Sequence, residues 1–443
     1  MKLNDRGSSM PETEGYDGRM SPPSLRVFWK FLASFCVVPL LAAPLAAQPF
    51  ALHDGDMVVF YGDSITAQRL YTRFVEDFVL TRYPALKIRF VNAGVPGDTV
   101  SGGYAGTMAE RVQRDVAPFH PTVITVMLGM NDGGWGYDPE KSEETFKQGY
   151  GALIAALRKS APEAEIVLIR PTPYDEITHG TEFPGYSKTI DRLAGDVSQI
   201  EGRLKEAGDA KIKLVDFHEP LVEALERAKE MFPQLAPLIA PDRIHPSETG
   251  HWIMAAALME AWHVDPVVDA VEIDAAKAAP LRQERTRITD LEKTAAGLKW
   301  TETDESLPLP LDFNNAMTPV LLRISDLASL DRQVLKIDGL EMGRYQLLID
   351  GKPIGDFSGD ELKKGINLAL MKTPMNEQAR GIDGDEEERA ALDRAGFILS
   401  ADVKPNAGSA AAEARLTQAE DELANSARGD AAAKAHVFEL RRE

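Results

Sequence analysis

The chain has 443 residues, 44% of them hydrophobic. That is more than one ordinary domain needs and enough for a sizeable core, so global disorder is excluded. Lys and Arg total 49 against 69 Asp and Glu, a formal net charge of -20. A surface this acidic argues against nucleic-acid backbones and anionic lipid as partners, because both need clustered basic residues; its plainest effect is solubility.

The N-terminus carries the first signal. Arg26 and Lys30 precede an apolar run over 31–45, which closes on Ala46 and Ala47. A basic start, an apolar stretch of this length and a small-residue zone predict a signal peptide, so 1–47 is expected to be an N-terminal extension removed on export to the periplasm or beyond. Pro39 and Pro44 break the run, and it is short for a membrane span; a buried or anchoring helix is the competing reading. Met1 and Met20 are both candidate starts. The single cysteine, Cys36, lies inside the run. Cleavage would leave no cysteine, and with it no disulfide, thiol catalysis or cysteine metal site.

From 48 to 270 short apolar runs alternate with amphipathic stretches. The runs at 58–61, 88–91, 123–128, 166–169 and 214–217 are largely β-branched and near-continuous, as in strands buried on both faces. Leu70, Phe74, Phe78 and Val79 form one helical stripe. Phe146, Tyr150, Leu153, Ile154 and Leu157 form another, with Ser142 as its expected N-cap. Strand–helix alternation predicts parallel βαβ units in a doubly wound, three-layer α/β/α sandwich, whose function gathers at the strand C-termini. A charged stretch within 271–300 reads as a linker or connecting helix. Beyond it, 301–443 reads as an accessory module: strand-like runs at 334–337, 345–349 and 353–357, Asp338-Gly339 and Asp350-Gly351 as hairpin signals, and an Ala- and Glu-rich helical region from 383 onward.

Four short segments fall at expected strand ends. Ser64, in the run Gly62-Asp63-Ser64-Ile65-Thr66, follows the first strand, where a serine is exposed at the functional rim and its amide can face an oxyanion. Position 66 is not glycine, so this is not the Gly-x-Ser-x-Gly elbow. Asn92 to Thr99 follows the second strand, and its glycines permit bare N–H groups near a ligand. Asn131, in Gly129-Met130-Asn131-Asp132, can donate a side-chain N–H to a developing charge. Asp242 and His245 share a loop before an expected helix over 248–262. A serine hydroxyl needs a base within reach, histidine has a suitable pKa, and a carboxylate fixes the ring's tautomer. His251 reads as structural. Taken singly, these segments also fit a helix cap, a Gly/Pro turn and an Asx turn.

Taken in this order, the four blocks resemble the SGNH/GDSL hydrolase superfamily over about residues 55–265. The resemblance implies a parallel, flavodoxin-like sheet and an ester-bond hydrolase working through an acyl-enzyme, with no metal or organic cofactor. It implies Ser64 as nucleophile, Asp242 and His245 as its triad partners, and an oxyanion hole from the Ser64 amide, the Gly97 N–H and the Asn131 side chain. Gly94 is the lesser candidate for the Gly97 role. Trp135, Tyr137 and Tyr174 lie on expected rim loops and are candidates for stacking on a substrate, or simply for packing those loops. No long apolar lid segment is evident. A short-acyl esterase acting on decorated carbohydrate is therefore expected ahead of a lysophospholipase or thioesterase, or of a catalytically silent glycan-binding protein.

Overall fold

The computed structural model describes residues 49–443 except 137, 181, 403–405 and 433. The apolar run at 31–45 with its cleavage zone and Cys36, and also Tyr137, lie outside the described residues. Among the described residues no helix is long and apolar enough to cross a membrane.

Strands β1 (Met57–Gly62), β2 (Arg89–Gly94), β3 (Val123–Met127), β4 (Glu165–Arg170) and β5 (Ile212–Asp216) form one parallel sheet in the order 2-1-3-4-5. This is the flavodoxin-like order, which reverses its direction of growth between β1 and β3 and opens a crevice at their carboxyl ends. β3 is buried at every position, because its Val-Ile-Thr-Val-Met side chains meet protein on both faces.

Helices α1 (Ser64–Ala67), α2 (Leu70–Arg82), α3 (Pro139–Ser160), α4 (Tyr186–Glu206), α5 (His218–Met231) and α6 (Glu248–Ala261) alternate with these strands. α2 buries Phe74 and Phe78, and Trp252 of α6 stacks on Phe74 at 3.9 Å. The expected stripe of α3 is buried throughout. Its cap differs from expectation. Asp138, not Ser142, accepts the Lys141 N–H, at 3.2 Å, and Pro139 opens the helix where its missing N–H costs nothing.

The remainder is richer in strands than expected. The stretch 271–300, read as a linker or connecting helix, lies within β6 (Val267–Asp274), β7 (Ala279–Glu284), β8 (Thr286–Thr294) and β9 (Gly297–Asp304). In β9 half-buried and buried residues alternate along the whole strand. Its charged residues therefore mark a period of two rather than a solvated helix. After α7 (Thr318–Ile324) come β10 (Arg332–Asp338), β11 (Arg344–Ile349), β12 (Lys352–Ser358) and β13 (Ile366–Asn367). Asp350-Gly351 does join a hairpin, β11 to β12, with φ of 52° and 76° as a type I′ turn requires. Asp338-Gly339 does not, since β10 and β11 belong to different sheets. The helical region forms α8 (Pro374–Asp402) and α9 (Ala407–Asp430), but the chain ends in a strand, β14 (Ala435–Arg442). β14 lies in the middle of an antiparallel sheet ordered 8-9-14-11-12, while a mixed sheet is ordered 13-10-6-7. Residues of both sheets, among them Val271, Trp300, Ile337 and Phe438, share one core.

Part of the region read as accessory completes the α/β core instead. Leu309, Leu311, Val320, Leu321, Ile324 and Leu327 are buried with the α/β residues.

Candidate active site

The site forms at the carboxyl end of β1. Asp63 follows the strand, caps α1 by accepting the Ile65 N–H at 2.9 Å, and is buried. Burial pushes its carboxyl up to about 7, against the pull of the Ile65 N–H and of His245. Ser64 is thereby set on the first residue of α1, where the backbone N–H groups of a helix have no intrahelical acceptor. The tight entry needs Gly94, the last residue of β2: a Cβ there would sit 2.3 Å from the Ala67 nitrogen.

The partner groups come from the loop before α6. His245 Nε2 lies 2.8 Å from Ser64 Oγ, and His245 Nδ1 lies 2.7 Å from Asp242 Oδ2. The other oxygen, Asp242 Oδ1, accepts the backbone N–H groups of His245 at 2.7 Å and Ile244 at 3.0 Å. Partial burial works against ionisation of Asp242, but the His245 N–H and ring and the Ile244 N–H together hold its pKa below the usual carboxylate value. The Nδ1 proton therefore belongs on the ring and donates to Asp242, which leaves Nε2 to accept the serine proton. The loop turns at Arg243, whose φ of 70° is left-handed; its Nε donates to the Gly180 carbonyl and its Nη1 pairs with Glu182, both at 2.9 Å.

Asn131 bonds the loop that carries Gly97. Asn131 Nδ2 donates one proton to the Asp98 carbonyl at 2.9 Å, which leaves its second proton available. Gly97 has a φ of 72°, a conformation that glycine enters at no steric cost. Gly94 cannot take its role: it is buried, and its N–H is already given to Asn92 Oδ1 at 3.0 Å.

Two residues that carried no role in the sequence reading hold this loop. Asp132 Oδ1 accepts the Val100 N–H at 3.0 Å, and burial pushes the Asp132 carboxyl up to about 7. Arg111, fully buried, pairs with Asp98, donates Nε to Asp115 at 3.0 Å, bonds the Ala93 carbonyl and lies 4.3 Å over the Tyr61 ring. Arg111 stands in no motif, so nothing local to the sequence could single it out.

The aromatic candidates separate. Tyr174 is only 2% exposed, with its ring edge-on to Tyr186 at 5.2 Å, so it supports the wall and cannot present a stacking face. Trp135 remains half-buried, with its ring against Tyr186 at 5.0 Å. His251 is structural, as expected. Its Nδ1 accepts the Tyr71 N–H at 3.2 Å and its Nε2 meets Gln68 at 3.0 Å. Burial, helped by His245, drives its pKa down to about 3.

A doubly wound α/β domain with a hydrogen-bonded serine, histidine and aspartate at its switch point has the architecture of a hydrolase of the serine type. Residues 60–253 match the GDSL-like lipase/acylhydrolase family. Over 222 residues the chain is 28% identical to an acetylxylan esterase of Geobacillus stearothermophilus, which spans 46% of this chain and 93% of that one. The solved structure of a gut microbial diltiazem-metabolizing enzyme superimposes with a TM-score of 0.74 at 26% identity, over 88% of this chain and 98% of that one. Over residues 60–253 the chain is thus similar to the GDSL-like lipase/acylhydrolase family, and it is an ester-bond hydrolase.

Proposed function

We propose that this protein is an exported serine esterase that removes short acyl groups, acetyl foremost, from carbohydrate. The observation that carries the reading is the 2.8 Å contact between His245 Nε2 and Ser64 Oγ, continued through Nδ1 to Asp242. His245 takes the hydroxyl proton as Ser64 Oγ attacks the ester carbonyl, and Asp242 stabilises the resulting imidazolium. The Ser64 amide, the Gly97 N–H and the free proton of Asn131 Nδ2 receive the oxyanion. His245 returns its proton to the leaving alcohol, and water, activated by the same ring, clears the acyl-enzyme.

Likeness to an acetylxylan esterase supports the acetyl and carbohydrate assignment. The half-buried Trp135 supports its reading as the ring that stacks on a sugar, and the apolar run at 31–45 supports export.

Hydrolysis of p-nitrophenyl acetate, butyrate and octanoate by the wild type and Ser64→Ala tests the reading. Activity that falls with chain length and disappears in the variant is expected. Equal activity in both proteins rules out Ser64 as nucleophile, and a preference for octanoate shifts the assignment to a lysophospholipase or thioesterase. Loss of acetylated xylo-oligosaccharide turnover in Trp135→Ala, with p-nitrophenyl acetate turnover retained, is expected if the indole holds sugar.

A further inference from the structure

The two sheets of the C-terminal region enclose a group of polar side chains that ester hydrolysis does not use. Asp269 on β6 and Glu302 and Asp304 on β9 are each at most 5% exposed. One carboxylate oxygen from each lies within 4.8 Å of the others. Strand register adds two more residues. Gln333 on β10 stands across from Asp269, and His436 on β14 stands across from Glu302. Directly paired residues point to the same face of a sheet, so both side chains join the carboxylates.

The partners of these groups are incomplete in a consistent way. Gln333 donates Nε2 to Asp304 Oδ2 at 3.1 Å, yet its own carbonyl oxygen, fully buried, has no partner among the described residues. His436 Nδ1 lies 2.7 Å from Asp350 Oδ2, and its Nε2 is buried without a partner among the described residues. Asp269 Oδ2 and Asp304 Oδ1 are buried and unpartnered as well. Among the donors that reach the group are the Gln333 amide, the Thr286 hydroxyl and the Trp300 indole N–H, which bonds Glu302 at 2.9 Å. These three are neutral. Arg82 bears on Asp269 from a distance but is committed to Asp331 at 2.9 Å. Three of the open atoms are oxygens beside buried carboxylates, and a cation among them would compensate both the missing partners and the charge.

We propose that a divalent cation binds here, held by Asp269, Glu302 and Asp304, with Gln333 Oε1 and His436 Nε2 as further ligands. Oxygens bound at about 2.1–2.5 Å to one ion stand at most about 5 Å apart, which the observed spacing satisfies. Asp350 behind the imidazole is the usual outer partner of a metal-bound histidine and orients Nε2 inward. A carboxylate set with one imidazole suits Mn²⁺ or Zn²⁺ better than Mg²⁺. The ion would tie β6 and β10 of one sheet to β9 and β14 of the other, a structural role separate from Ser64.

The full chain, stripped with EDTA and reloaded with Mn²⁺, Zn²⁺ or Ca²⁺, tests this by elemental analysis after desalting and by thermal melting. About one ion per chain and a rise in Tm of about 5 °C or more, reversed by EDTA, are expected for at least one metal. Asp269→Asn combined with Asp304→Asn should lose both effects while p-nitrophenyl acetate turnover holds at the wild-type level. Should that variant not fold, the electron paramagnetic resonance spectrum of Mn²⁺ added to the wild type reads occupancy directly. No retained ion, no Tm shift with any of the three metals and a free-Mn²⁺ spectrum would overturn the proposal, leaving carboxylates that share protons.

Discussion

Asn131 ties down the loop bearing Gly97, since one Nδ2 proton holds the Asp98 carbonyl, and its other proton is the one proposed to meet the reacting oxygen. Asn131→Ala is therefore expected to lower kcat by about 10²–10³-fold, roughly 3–4 kcal/mol in the transition state, with KM little changed. Steady-state kinetics on p-nitrophenyl acetate checks it; an unchanged kcat would remove Asn131 from the oxyanion hole. The left-handed Arg243 plays the corresponding part for the other half, since a non-glycine residue holds that conformation only when the loop around it is tied down.

At the scale of elements, α2 and α6 meet through His251. The ring lies parallel to that of Tyr71 with centroids 5.9 Å apart, and its Nδ1 accepts the Tyr71 backbone N–H. It is neutral in the folded protein because its pKa lies near 3, whereas the unfolded chain protonates it near its ordinary 6.5. The folded pKa is depressed, so this stabilisation is fully present above pH 6.5 and is lost as pH falls toward 3. The loss is on the order of 5 kcal/mol by the acid end. Denaturant melts at pH 7 and pH 4 should show His251→Gln less stable than wild type at pH 7 and the gap narrowing at pH 4. A gap independent of pH would mean that the ring contributes by packing alone.

At the scale of the molecule, the described chain does not divide where composition suggests. The segment 305–331 leaves the β-rich region and returns to the α/β core, where Asp331 accepts Arg82 of α2 and the Leu309 N–H, each at 2.9 Å. Asp331→Ala strands a buried guanidinium and an N–H, so about 3–5 kcal/mol of stability should be lost, read as a lower urea midpoint. Arg82→Met with Asp331→Leu should recover much of that, because no charge is then left buried. A loss confined to one of two separate unfolding transitions would show that the halves fold independently.

What the sequence determined by itself was local or periodic. Continuous β-branched runs marked the parallel strands, because strands covered on both faces must be apolar throughout. Asp350-Gly351 marked its hairpin because few dipeptides accept two positive φ angles. Ser64, Asn131, Asp242 and His245 could be named because each lies beside a recognisable strand end or loop. Tertiary structure decided what depends on distant partners. It closed the 181 positions between Ser64 and His245, buried Tyr174 while leaving Trp135 half-buried, and paired Arg111 with Asp98 in the loop after β2. It also made a central strand of 435–442 and gathered Asp269, Glu302 and Asp304 from separate strands. Such groupings arise from which strands pair and in what register, and no short window of sequence carries that information.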